Sequence, residues 1–117
     1  MLIDIQAAIK VGGLSMLESD YQATLKKKLK KIFPGCVVLK NDGSNVPQGF
    51  PDLTVIYYDR WAMLECKASE KSSHRPQQDY YVQKFRQMGY ASFIYPENEE
   101  EVLNELKSVF QHDYENS

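Results

Sequence analysis

The chain has 117 residues, 43% of them hydrophobic and 26% charged, with a net charge of −2. This bounds it to one domain with a real core. No apolar run nears the ~20 residues of a membrane span, and the acidic balance argues against a general nucleic-acid binder. Met1-Leu2-Ile3-Asp4 lacks the basic stretch that opens a secretory signal, so the expected location is the cytoplasm. Cys36 and Cys66 lie in strand-like apolar contexts, which predicts two buried free thiols rather than a disulfide. His74 and His112 are too few and too far apart for a zinc motif.

Residues 1–15 read as an appended piece in which Ile5, Ala8 and Ile9 make one short amphipathic turn that Gly12-Gly13 ends. Leu17, Tyr21, Leu25, Leu29 and Ile32 recur at helical spacing and predict a helix over 16–33, stopped by Pro34-Gly35. Lys26, Lys27, Lys28, Lys30 and Lys31 crowd its solvent side. Cys36 to Lys40 is a short strand. Asn41 to Pro51 holds two glycines, two prolines, two asparagines and a serine, and is a loop. A hairpin follows, from Asp52 to Lys67. Ala68 to Arg75 is a polar loop. Pro76 suits the first position of a second helix, with Tyr81, Val82, Phe85 and Met88 as its stripe and Gly89 as its stop. Ala91 to Tyr95 is a buried strand. Pro96 opens a last helix with the stripe Val102, Leu103, Leu106, Val109 and Phe110, and its early glutamates Glu97, Glu99, Glu100 and Glu101 complement the helix dipole. Residues 111–117 should fray. The order is helix, three strands, helix, strand, helix: an α/β fold with a mixed four-stranded sheet.

The hairpin carries the chemistry. Charged side chains within apolar strands are costly to bury unless they are paired or hold a metal. Side chains alternate faces along a strand. With Asp59-Arg60 as a two-residue turn, Asp52 pairs with Lys67 and lies diagonal to Glu65; with a four-residue loop from Tyr57 to Arg60, Asp52 pairs with Glu65 directly. Either even loop sets Asp52, Thr54, Ile56, Met63, Glu65 and Lys67 on one face. Leu53, Val55, Tyr57, Ala62, Leu64 and Cys66 take the other. Two carboxylates and an amine then converge on one end of the hairpin.

Pro51-Asp52 on one strand, followed by Glu65-Cys66-Lys67 on the next, resembles the PD-(D/E)xK nuclease superfamily, whose core is restriction-endonuclease-like. Glu18 in the first helix, Gly49-Phe50-Pro51-Asp52 before the strand and Gln78 early in the second helix make the chain similar to the virus-type replication–repair nuclease (VRR-NUC) domain found as stand-alone phage proteins. Gln77 is the neighbour that a one-residue slip would put in place of Gln78. The likeness spans roughly 16–107, within a domain expected over 16–110 between the extension 1–15 and the tail 111–117.

The resemblance implies a metal-dependent DNA endonuclease that leaves a 5′-phosphate and a 3′-hydroxyl, acting on duplex or branched DNA such as a Holliday junction in phage replication, recombination or repair, in the cytoplasm of a bacterial host. Asp52 and Glu65 would hold Mg²⁺ or Mn²⁺ together with the Cys66 backbone carbonyl, and Glu18 would complete the set. Lys67 would position the attacking water or stabilise the developing charge, and Gln78 would orient Lys67 or a phosphate. Lys40, Lys71, His74 and Arg75 flank the site as phosphate contacts. A homodimer is expected, because cutting two strands takes two sites. The alternatives are a non-catalytic nucleic-acid-binding or assembly module on the same fold, and a nuclease acting on RNA.

Overall fold

The computed structural model describes the backbone of residues 3–115 and the side chains of residues 18–110. Its elements run α1 (Ile3–Ile32), β1 (Val37–Lys40), β2 (Leu53–Tyr57), β3 (Arg60–Cys66), α2 (Pro76–Met88), β4 (Tyr90–Ile94) and α3 (Glu99–Glu115). The strands form one mixed sheet in the order β1-β2-β3-β4. The first two pairings are antiparallel; β3 and β4 are parallel, joined by a crossover through α2.

Strand alternation divides the sheet into two unlike faces. Leu53, Val55, Ala62, Leu64 and Cys66 are buried on one of them. Leu25, Leu29 and Phe33 from α1, and Val102, Leu103, Leu106 and Phe110 from α3, close over them to form the core. Each such side chain contributes roughly 1.5–3 kcal/mol by leaving water. On the other face α2 packs over β3 and β4. There Trp61 meets Phe85 edge to face, and Phe50 packs against Tyr81 and Phe85. The open half of that face carries Val37, Leu39 and Ile56, all exposed.

The hairpin register sets Tyr57 opposite Arg60 and Leu53 opposite Leu64. The turn is therefore Tyr58-Asp59, not Asp59-Arg60. The register is that of the four-residue alternative, with one further pair closed beyond it. The cause lies in the core: the Tyr57 ring packs on Phe33 and Phe110, and the Arg60 guanidinium donates to the Val109 carbonyl at 3.2 Å. These contacts hold both residues in the strands, and Tyr58 absorbs the reversal at φ +58°.

Three other boundaries depart from the sequence reading. The first helix does not begin at 16; α1 is continuous through Gly12-Gly13. Each glycine costs about 1 kcal/mol against alanine, but extending a nucleated helix adds one hydrogen bond per residue fixed. The apolar side chains of the expected N-terminal turn, Ile5, Ala8 and Ile9, fall outside the described side chains. Pro96 does not open α3. Tyr95–Asn98 form a turn, in which Asn98 Oδ1 accepts from the Tyr95 N–H at 2.9 Å and the Asn98 carbonyl receives the Val102 N–H at 3.0 Å. Asn98 thus stands just before α3 and takes its first helical hydrogen bond through its carbonyl, while its side chain turns back to the Tyr95 N–H and the Phe93 carbonyl. At its other end α3 continues to Glu115, and residues 116–117 lie outside the described chain.

Both cysteines are buried free thiols. Among the described residues no helix is long and apolar enough to cross a membrane.

Candidate metal and phosphate site

The site forms where β2 begins and β3 ends. Extending the ladder by one pair sets Asp52 opposite Glu65, and by two sets Pro51 opposite Cys66. Proline has no N–H to donate, so Pro51 leaves the Cys66 carbonyl without a ladder partner on that side. The Cys66 N–H is taken instead by Asp52 Oδ2, at 2.9 Å. One residue on, the Lys67 N–H turns to the Ile94 carbonyl of β4, at 2.9 Å. Strand geometry thus brings the Asp52 carboxylate, the Glu65 side chain and the Cys66 carbonyl to one corner.

Lys67 and Glu65 are 7% and 2% exposed. Two charged groups buried to this degree need partners, and α2 supplies most of them. Pro76 presets the first helical turn, and Gln78 reaches back from the third position, its Oε1 accepting from the Arg75 N–H at 3.0 Å. The same oxygen accepts from Lys67 Nζ at 2.9 Å, and Gln78 Nε2 donates to Glu65 Oε2 at 2.9 Å. The amide orientation follows from chemistry, since the ammonium and the peptide N–H are both obligate donors. Lys67 Nζ also donates to the Ser73 carbonyl at 3.0 Å and lies 4.0 Å from Glu65 Oε2. Gln78 is therefore the hinge between acid and amine. Gln77 is exposed and instead lies under the loop: at Gly49, which has φ +90°, an added Cβ would stand 2.3 Å from Gln77 Cβ.

One atom remains unsatisfied. Glu65 Oε1 is buried with no hydrogen-bond partner, which is true of no other side-chain oxygen or nitrogen among the described residues. Burial, and then the neighbouring Asp52, push the Glu65 carboxyl up to about 8. Asp52 is also raised by burial, against the lowering effects of the Cys66 N–H, Lys67 and Lys40. Glu18, arriving from α1, is raised by burial and then by Asp52. Three carboxyls thus sense one another in a poorly solvated corner. The donor set, all oxygen, fits a hard divalent cation. Glu65 Oε1, Asp52, the Cys66 carbonyl and Glu18 are the groups that would hold it. Among the described residues no three acidic, His or Cys side chains close on a common point tightly enough to grip an ion, although the Asp52 and Glu65 carboxyls lie near enough to hydrogen-bond when one is protonated.

The four residues expected to meet phosphate divide. Lys40, Lys71 and Arg75 are exposed around the site, and the Lys40 charge is felt by Asp52. His74 is committed otherwise: its ring stacks on Phe93 at 3.9 Å and its Nδ1 meets Asp79 at 3.1 Å.

The sequence reading expects the loops 41–48 and 68–75 to flank the site, without singling out the roles of two residues in them. Asn41 ties the loop to the site, its N–H donating to the Asp52 carbonyl at 2.7 Å and its Nδ2 to Thr54 Oγ1 at 2.8 Å. An asparagine directly after a strand is a usable signal for such a turn. Ser73 acts through its carbonyl, which every residue possesses, so no side-chain pattern could point to it.

Comparison of the chain with protein-family models, with curated proteins and with solved structures finds no match in any of the three.

Proposed function

We propose that this chain is a metal-dependent DNA endonuclease of the PD-(D/E)xK type. The observation that carries the reading is the orphaned, buried Glu65 Oε1 beside Asp52 and Glu18, with Lys67 held next to it through Gln78. A structural ion pair would leave no carboxylate oxygen unpartnered in a dry corner. A bound Mg²⁺ or Mn²⁺ would neutralise phosphate charge and lower the pKa of a water molecule. Lys67, with two of its donors held by Ser73 and Gln78, offers the third to that water or to a phosphate oxygen. In the reaction, water oxygen bonds to phosphorus as the P–O3′ bond breaks; the water loses a proton and the 3′-oxygen gains one. Exposed Lys40, Lys71 and Arg75 supply weak, salt-sensitive phosphate contacts.

Concerted cutting of both strands, or of a branched junction, calls for a second copy. The edge strand β1, with exposed Val37 and Leu39, favours a homodimer. Sedimentation of the purified chain at micromolar concentration tests that part.

The decisive assay incubates the protein with supercoiled plasmid and with branched and single-stranded DNA, in Mg²⁺, Mn²⁺ or EDTA. Cleavage is expected with either metal and not in chelator. Asp52→Ala and Glu65→Ala should lose both cleavage and metal binding. Undiminished cleavage in EDTA would sink the reading.

A further inference from the structure

Polyanion affinity is the open problem for an acidic protein, and the two helical flanks differ in how they could meet one. Between Glu97 and Phe110 a single cation, Lys107, accompanies five glutamates. Between Arg75 and Met88 three cations accompany one acid, Asp79, and that acid is already met by His74. One of these three cations, Arg86, is likewise met by Glu105 of α3, yet α2 is still the less acidic of the two flanks and the more favourable for a nucleic-acid strand.

The α2 flank offers more than charge. Phe50 stands two residues before Asp52. Its ring lies 5.6 Å from Tyr81, and Tyr81 lies 5.0 Å from Tyr80. Phe50 and Tyr81 are half-buried, whereas Tyr80 is 56% exposed, with Lys84 Nζ 6.0 Å from its ring centre. Three aromatic rings thus run outward from the candidate site, and only the last, Tyr80, is exposed, with the Lys84 ammonium over its ring. Tyr81 and Phe50 are themselves packed on Phe85 and back it edge-on. Aromatic rings accept any base by stacking, worth about 1–3 kcal/mol per base and independent of sequence. This term does not rely on counterion release, which few cations can provide here. Bases inside a duplex present their faces to one another, so only an unpaired strand can use such rings.

We infer that Tyr80, backed by Tyr81 and Phe50, is a stacking platform for an unpaired base, and that the preferred ligand of this surface is single-stranded DNA led along α2 toward Asp52. The inference rests on the DNA nuclease reading for the identity of the strand, and its test is made without metal.

Fluorescence anisotropy in EDTA would compare a labelled oligothymidylate of about fifteen nucleotides with a duplex of equal length and with an oligouridylate. The wild-type chain should bind the oligothymidylate more tightly than either. Tyr80→Ala should weaken that binding roughly tenfold, by the same factor at low and high salt, and leave duplex binding unchanged. Tyr80→Phe keeps the ring and should restore binding to within about twofold. An exposed ring can be removed without opening the core, and an unchanged melting curve for Tyr80→Ala checks this. Wild-type affinity in Tyr80→Ala, an equal loss on duplex, or tighter binding of the oligouridylate would each overturn the inference. Failure of the nuclease reading looks different: metal-supported cleavage is absent from the wild-type chain while oligothymidylate binding and its Tyr80 dependence persist.

Discussion

On the face of the sheet covered by α1 and α3, Leu53, Val55, Ala62, Leu64 and Cys66 are fully buried in the hydrophobic core. On the other face the same two strands, continued by a residue at either end, carry Asp52, Thr54, Met63, Glu65 and Lys67. There the packing is aromatic at one end, open at another, and charged where the strands run out. Leu64 and Glu65 are sequence neighbours and belong to these opposite regimes. One face contributes stability through burial. The other holds groups that destabilise the fold by being buried, and such groups persist where a ligand compensates them.

Substituting those two neighbours separates the regimes most sharply. Leu64→Ala should destabilise the protein by about 2–5 kcal/mol, through lost burial and the cavity left behind, with a lower urea midpoint and an unchanged slope. A loss under ~1 kcal/mol would mean that α1 and α3 collapse into the space, and that this face is less tightly packed than its burial implies.

The next effect is on rate, and belongs to the charged face alone. Lys67→Ala should slow cleavage on the order of 10²-fold or more, as for loss of a charge-stabilising group, while metal affinity by calorimetry survives. Lost metal binding in this variant would show that Lys67 organises the carboxylates rather than serving the reaction. Gln78→Ala should cost less, on the order of tenfold, because it frees Lys67 and Glu65 without removing either. Gln77→Ala should be near silent, since Gln77 meets the loop at Gly49 and not the site. The reverse order would move the hinge to Gln77.

The two faces were also unequally legible in the sequence. Strand parity and helical spacing were enough to read the apolar face, because hydrophobic periodicity is a local signal. The even hairpin loop followed from the same parity, although the turn itself did not. Tyr57 and Arg60 are drawn into the strands by Phe33, Phe110 and the Val109 carbonyl, all distant in sequence. On the charged face, Asp52, Glu65, Lys67 and Gln78 could be picked out, and the structure brings them within reach of one another. The Ser73 carbonyl that holds Lys67 could not be picked out, and nor could the diversion of His74 to Asp79 and Phe93. Backbone acceptors carry no sequence mark, and a histidine's partner depends on tertiary placement.

The last expected effect is a change of sign with pH. Glu65 titrates near 8 in the folded chain against an ordinary value near 4.5, first because it is buried and then because Asp52 is beside it. A carboxyl raised in this way favours the fold while it is protonated. Its favourable contribution is full below about 4.5, fades as the pH rises toward about 8, and is gone above that. Raised Asp52 and Glu18 act in the same direction. In chelator, therefore, the wild-type chain should lose thermal stability as the pH rises across this window. Glu65→Gln keeps the shape, cannot ionise, and relieves Asp52 and Glu18 of a neighbouring charge, so its advantage over wild type should grow with pH. Added Mg²⁺ should reverse the ranking at the alkaline end, because the cation binds the ionised carboxylates of the folded wild-type chain and stabilises it by mass action. Melting curves of both proteins across the window, with EDTA and with Mg²⁺, decide the matter. If wild type gained stability with rising pH in chelator, Glu65 would be an ordinary ionised partner of Lys67, and the case for a cation at its free oxygen would be gone.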